Sequence, residues 1–165
     1  MTSEISATHL QGIAPLPHLG IIRAAGADAA SFLHNQLTND VLLMKEGQCR
    51  LAAFCNAKGR MQASFVVYKR SAEEVLLIGR KDLMAQTVKR LSMFVLRAKA
   101  KLSDATDEFQ LLGLAGDAAL AALNGSSADA WQRHTAGAAD VLTLYPALGQ
   151  ARAFWLAPND IAAPT

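Results

Sequence analysis

The sequence lacks a long hydrophobic run. Its longest apolar stretches, such as residues 65–68 and 75–78, have the length of a β-strand, whereas a helix that crosses a bilayer needs about 20 apolar residues. The first ten residues carry Glu4 and several polar side chains, without a basic region followed by an apolar segment. We therefore expect no membrane span, no secretory signal and a cytoplasmic location.

The sequence also has few cysteines and a small net charge. Cys49 and Cys55 stand six residues apart in one predicted strand, which separates them by about 20 Å. A disulfide needs Cα atoms within about 7 Å, so both are predicted to be buried free thiols, as is typical of a reducing compartment. The net charge is only +2. Nucleic-acid-binding domains have a concentrated basic footprint, so direct binding to nucleic acid is not expected.

The motifs of the common sequence-readable enzyme classes are missing. The chain contains no P-loop and no GxGxxG, HExxH, GxSxG or CxxC pattern. The histidines have no ligand-like spacing with the cysteines; they are His9, His18, His34 and His134. A metal site is therefore not predicted.

The composition predicts a globular core, because 52% of the 165 residues are hydrophobic. Residues 19–25 are predicted to form a strand, and Asp28 is predicted to cap a helix that buries Ala29, Phe32, Leu33 and Leu37. Apolar alternation then predicts two strands, 51–56 and 61–68, joined by a tight turn at 56–60. A third strand follows at 75–79.

The second half of the chain repeats this mixture. Asp82 is predicted to cap a helix with an apolar face that includes Met84 and Leu91 and with Lys89 and Arg90 outward. Further predicted elements are an exposed or edge strand at 97–102, strands at 109–114, 141–145 and 152–156, and a helix at 117–123. Hairpins without a regular strand–helix–strand alternation indicate an α+β fold with mostly antiparallel sheets and interspersed helices.

Three sets of polar or aromatic residues have two interpretations each. The side chains of the turn at 36–40 (QLTND) could form hydrogen bonds with the turn's own backbone, or they could bind the edge of a ring that carries nitrogens and amino groups, such as a pterin. The cations at the hairpin tip, and those in a stripe, could be solvated or could meet acidic groups; they are Lys58, Arg60, Arg97, Lys99 and Lys101. Trp131 and Trp155 could belong to the core or stack on a planar ligand.

Segments 26–28 (GAD), 36–41 (QLTNDV) and 51–68 (LAAFCNAKGRMQASFVVY) resemble the amino-terminal module of the YgfZ/IBA57-type folate-binding proteins, relatives of the aminomethyltransferase T-protein. The resemblance covers nearly all of residues 18–157. It implies an aminomethyltransferase-like fold with ferredoxin-like elements and tetrahydrofolate bound in a hollow between domains. It also implies a role in maintaining iron–sulphur enzymes, which would be its clients, and in tRNA modification.

The sequence departs from these relatives in two places. Where aminomethyltransferases carry paired aspartates, this chain has Ala63 and Ser64, which argues against aminomethyl transfer and leaves no catalytic residue to assign. The group's Lys-Gly-Cys signature is also absent. We therefore expect the amino-terminal portion only, with a polar lead (1–17), a folate-binding-like lobe (18–104), the start of a second α/β lobe (105–165) and no carboxy-terminal domain.

The resemblance places Leu19, Gln36, Lys58 and Arg60 at the folate. Leu19 occupies a position where relatives often have a larger ring, so weak folate binding is expected, and the cations would face the acidic tail. A folate-dependent aminomethyltransferase-type one-carbon transferase and a ligand-free interaction module are the alternatives. Apolar surface left by a missing domain could promote self-association.

Overall fold

The structure is a computed structural model that describes residues 10–127 and 129–165. In chain order the described elements are β1 (Gly12–Pro15), β2 (Leu19–Ala25), α1 (Ala29–Gln36), β3 (Cys49–Cys55), β4 (Met61–Ser71), β5 (Glu74–Arg80), a 3-10 turn (Lys81–Leu83), α2 (Met84–Ser92), β6 (Lys101–Asp104), a 3-10 turn (Thr106–Glu108), β7 (Phe109–Ala115), α3 (Asp117–Ala122), β8 (Arg133–Ala136), β9 (Ala139–Ala147) and β10 (Gln150–Pro158).

The chain divides into two compact units. The central unit is Pro17–Asp107, and the terminal unit combines the residues before Pro17 with those from Glu108 onward. Every strand pair among the described residues is antiparallel. The predicted α+β class with mostly antiparallel sheets is thereby confirmed.

The central unit is a five-stranded sheet in the order β3-β4-β5-β2-β6. Its two helices pack on one face, which we call the helix-covered face, and bury a single apolar cluster there. Alternate strand residues such as Ala52, Phe65 and Leu77 supply the sheet side of this cluster. Leu33 of α1 and Leu91 of α2, both fully buried, supply the helix side. The helix positions predicted to be buried in α1 are confirmed.

The opposite face of this sheet carries the other set of alternate side chains. Cys49 pairs with Tyr68, and Leu51 pairs with Val66 on the next row. Cys49 and Tyr68 are buried, whereas Leu51 is 52% exposed. Toward the row of Leu51, near the hairpin that joins β3 and β4, this face becomes accessible. Both cysteines are free thiols; Cys49 is buried as predicted, whereas Cys55 is only partly buried.

The terminal unit has its own five-stranded sheet, in the order β1-β7-β10-β9-β8. Its core gathers small and apolar side chains around Trp155, with α3 contributing Ala119. Trp155 is 4% exposed and therefore belongs to the core. The Trp131 ring lies 5.8 Å from that of Tyr145, centroid to centroid.

Both predicted helix caps are wrong, because neither aspartate side chain accepts a hydrogen bond from the helix that it was predicted to cap. Asp28 precedes α1, but its carboxylate accepts the Lys99 amide at 2.7 Å instead of an amide of the helix. The Asp28 amide in turn donates to the Lys99 carbonyl at 3.0 Å. Asp82 lies within a 3-10 turn and pairs with Arg80, without capping α2. In both cases an ion pair or a passing loop competes successfully for the carboxylate.

The strand predicted at 97–102 is also wrong in extent, since β6 begins only at Lys101. The bonds between Asp28 and Lys99 hold the preceding residues in a loop, and Leu96 has a positive φ of 45°. From Lys101 on, β6 is an edge strand beside β2. The short strands β1 and β8 were not predicted, because neither four-residue segment has a run of alternating apolar residues.

Candidate functional site

The polar turn, residues 36–40, runs along the outer edge of β3. The Thr38 amide donates to the Ala53 carbonyl at 3.0 Å, and the Ala53 amide donates to Thr38 Oγ1 at 2.8 Å. Asn39 Nδ2 donates to the Leu51 carbonyl at 2.9 Å. These bonds satisfy an edge that would otherwise offer free amides and carbonyls to another chain. Most of the turn therefore has a structural role.

The two ends of the turn differ: Asp40 forms local contacts, whereas the side chain of Gln36 is not engaged. Asp40 Oδ1 accepts the Leu43 amide at 2.9 Å and lies 3.0 Å from His34 Nδ1. The Gln36 side chain, by contrast, has no hydrogen-bond partner within the described residues and lines a groove. Gln36 is thus the member of the turn that is available to a ligand.

Replacing Thr38 with valine tests the structural role of the turn. Valine preserves the shape of threonine but removes the oxygen that accepts the Ala53 amide, so we expect a loss of about 1 kcal/mol in the free energy of unfolding. Urea denaturation measures it. Thr38→Ser retains the hydroxyl and should stay close to the parent protein. An equal loss in both variants would contradict the assignment.

The hairpin tip between β3 and β4 is organised by Asn56. Its Oδ1 accepts the amides of Lys58 at 2.9 Å and Arg60 at 3.0 Å, and Gly59 supplies the positive φ of 75° that closes the turn. The side chains of Lys58 and Arg60 are exposed, and within the described chain neither forms an ion pair. Both cations are therefore free to meet an anion.

A groove of about 770 Å³ opens between the end of α1, the end of β3, and α2 with the residues directly after it. We call it the helix-side groove. Its apolar surface comes from Phe54, Met93 and Phe94. Phe54 is 5% exposed and belongs to the central core, whereas Met93 is 66% exposed and Phe94 51% exposed. The groove thus has a buried floor and an apolar, accessible rim.

The polar lining of the helix-side groove consists of amides and two cations. The amides are those of Asn35, Gln36, Asn56 and Gln86. The cations are Lys89 and Arg90, and the residues that line the groove include no carboxylate. The groove therefore suits an electron-rich or anionic group beside an apolar body.

A second accessible surface lies on the opposite face of the central sheet. Ala53 pairs with Ser64, and Arg80 pairs with Leu19. Between β4 and β5, Phe65 pairs with Gly79, so the adjacent residues Ser64 and Arg80 continue the same row. Leu19 and Ser64 consequently share one face, two strand spacings or about 10 Å apart. We call this row, in which Ser64 and Arg80 are exposed and Leu19 and Ala53 are half-buried, the exposed row.

The structure does not bring the four predicted folate residues together. Leu19 belongs to the exposed row, whereas Gln36 lines the groove beside β3 on the helix side. Three strand spacings, about 14 Å, separate β2 from β3 across the sheet. Lys58 and Arg60 lie at the hairpin tip next to the groove residue Asn56.

The cations and apolar rim of the groove were not predicted as a site. The helical pattern placed Lys89 and Arg90 on a solvated face, and they are indeed exposed. A signal was nevertheless present, because residues 83–103 contain five Lys or Arg and no Asp or Glu. That asymmetry coincides with the exposed pair Met93 and Phe94.

Within residues 10–127 and 129–165, no group of three or more His, Cys, Asp or Glu is arranged to hold a metal ion. Among the same residues, each helix is too short or too polar to cross a membrane.

The family model of the GCVT N-terminal domain matches residues 2–144. A tRNA-modifying protein YgfZ from Shigella boydii is 36% identical over 98 residues, which are 59% of this chain and 29% of that protein. An aminomethyltransferase from Bacillus licheniformis is 30% identical over 112 residues, which are 68% of this chain and 30% of that protein. The chain thus spans about a third of the length of the curated relatives that it matches.

The fold has a solved counterpart. The crystal structure of the glycine cleavage system aminomethyltransferase T from Bartonella henselae superposes with a TM-score of 0.76 at 17% identity, over 92% of this chain and 44% of that chain. At this level of identity the likeness establishes the fold alone. It agrees with the two antiparallel sheets and few helices described above.

Proposed function

The chain belongs to the family of the GCVT N-terminal domain, and we propose that it supplies one wall of a tetrahydrofolate site. The observation that carries this proposal is the exposed row. It includes both Leu19, which the resemblance assigns to the folate, and Ser64, which the resemblance aligns with one of the paired aspartates of the aminomethyltransferases. A planar pterin could lie across this row.

The chemistry of the exposed row favours binding over group transfer. Ser64 offers a hydroxyl, and Ala63 is 4% exposed on the helix-covered face. Neither side chain can orient or deprotonate a cofactor amine as a carboxylate would. Arg80, the charged member of the row, is already paired with Asp82 at 3.0 Å. We therefore propose a folate-binding accessory role in preference to one-carbon transfer.

The physiological role is proposed from the relatives. One similar protein is named a tRNA-modifying protein, and the YgfZ resemblance adds the maintenance of iron–sulphur enzymes. Lys58 and Arg60 would meet the glutamate carboxylates of the folate tail, because they are exposed and unpaired at the hairpin end of the same strands. Folate is the proposed small-molecule partner and iron–sulphur enzymes are the proposed clients.

Titration of the ¹⁵N-labelled chain with 5-formyltetrahydrofolate tests the proposed wall. We expect saturable amide shifts at Leu19, Leu51 and Ser64 with a dissociation constant in the high-micromolar to millimolar range, equivalent to about 4–6 kcal/mol. Binding is weak because a leucine stacks less well than an aromatic ring and a single wall buries little of the ligand.

Two variants give this titration its control. Leu19→Ser should weaken folate binding, whereas Leu43→Ser, at a side chain 78% exposed outside the row, should leave it unchanged. Absence of saturable shifts on the exposed row at millimolar ligand would overturn the proposal.

A further inference from the structure

The helix-side groove has the features of a second binding site, on the other side of the sheet from the exposed row. Its volume of about 770 Å³ falls within the range of small-molecule sites. It combines a buried aromatic floor, Phe54, with polar groups that converge on it. Small-molecule sites characteristically pair an apolar lining with a few directed polar groups.

The charge of the groove indicates the sign of its occupant. Lys89 and Arg90 line it, and neither forms an ion pair within the described residues. The surrounding segment, residues 83–103, has five cations and no carboxylate, although the whole chain is nearly balanced at 16 basic and 14 acidic residues. Local positive potential therefore attracts an anion to this groove.

The apolar rim indicates the body of the occupant. Met93 and Phe94 are 66% and 51% exposed beside these cations. Large apolar side chains grouped on a surface mark a place where another molecule excludes water. The free amide of Gln36 adds a donor and an acceptor within the same groove.

We propose that the helix-side groove binds a small aromatic anion, with its rings on Phe54, Met93 and Phe94 and its carboxylate, sulfonate or phosphate on Lys89 and Arg90. The site is independent of the folate wall, because Leu19 and Ser64 belong to the opposite face of the sheet. Occupation of the groove therefore requires neither folate nor the exposed row.

The experiment uses 2-naphthoate as the anionic probe and 2-naphthylmethanol as its neutral counterpart. Titration of the ¹⁵N-labelled chain with 2-naphthoate should give saturable shifts at Gln36, Cys55 and Phe94. The neutral alcohol should bind about fivefold more weakly, because it lacks the charge that Lys89 and Arg90 recognise.

Two double variants separate the groove from the general basic charge of the segment. Lys89→Gln with Arg90→Gln should weaken 2-naphthoate about fivefold and leave the alcohol unchanged. Arg97→Gln with Lys99→Gln removes the same charge outside the groove lining and should change neither affinity by more than about twofold. Equal weakening by both double variants would overturn the proposal, as would the absence of saturable shifts at the groove.

The Leu19→Ser variant distinguishes this site from the proposed folate wall. It should weaken folate binding and leave the affinity for 2-naphthoate at Gln36 and Phe94 unchanged, because Leu19 belongs to the opposite face of the sheet. An equal loss of both ligands would refute two separate sites. If folate fails to bind the exposed row while 2-naphthoate binds the groove, the proposed function fails and the groove stands.

Discussion

Replacing Gly26 with alanine is expected to destabilise the chain by about 4 kcal/mol or more, enough to unfold much of a marginally stable domain. Gly26 directly follows β2 and has a φ of 131°, a conformation that residues with a side chain rarely adopt. A Cβ atom at this position would lie 2.1 Å from the Lys99 carbonyl oxygen, which is backbone and cannot rotate away. Alanine therefore combines backbone strain with a clash.

The position of Gly26 explains why the damage would spread. Its amide donates to the Glu73 carbonyl at 2.9 Å, and its carbonyl accepts the Ala29 amide at 3.1 Å at the start of α1. The loop through Lys99 closes over it through the two bonds to Asp28. A shift at Gly26 would therefore disturb β2, α1 and the loop before β6 together.

Gly59→Ala is the matched control for Gly26→Ala. Gly59 also has a positive φ, 75°, but a Cβ atom there would meet no heavy atom within 4 Å. We expect a loss of about 1–2 kcal/mol, the ordinary cost of a left-handed alanine. Guanidinium denaturation followed by circular dichroism compares the two. Similar losses in both variants would show that the clash with Lys99 is relieved and that the reasoning is wrong.

The sequence predicts the elements that depend on local pattern. Alternation located β3 and β4, the other segments predicted as strands matched β2, β5, β7, β9 and β10, and helical spacing located the buried residues of α1, because each signal is contained in neighbouring residues. Elements defined by distant partners were missed. β1 exists because Gly12–Pro15 pairs with β7, about a hundred residues later in the chain. The predicted cap at Asp28 fails for the same reason, since its carboxylate binds a loop 71 residues away.

The candidate site was predictable only in part. The resemblance selected Leu19, which belongs to the exposed row, and Gln36, which lines the helix-side groove. Nothing in the sequence reveals that the two residues lie on different sides of the sheet, because strand order and helix placement decide their positions. The groove is likewise built by the meeting of α1, β3 and α2, which no local pattern encodes.

The buried floor of the groove can be separated from its rim by two phenylalanine substitutions. Phe54→Ala should lower the free energy of unfolding by about 3–5 kcal/mol, because Phe54 is 5% exposed and packs in the central core. Phe94→Ala should cost less than about 1 kcal/mol, because half of that ring is already in water. Urea denaturation of both variants measures the difference.

The same pair separates stability from binding. Phe94→Ala should weaken 2-naphthoate while the fold persists, because the rim contacts the probe and not the core. Phe54→Ala should lose both stability and 2-naphthoate binding, since removing the ring leaves a cavity beneath the groove between β3 and α1. If Phe94→Ala proved as destabilising as Phe54→Ala, the exposed rim would be part of the core, and the groove could not be an open site on a preformed floor.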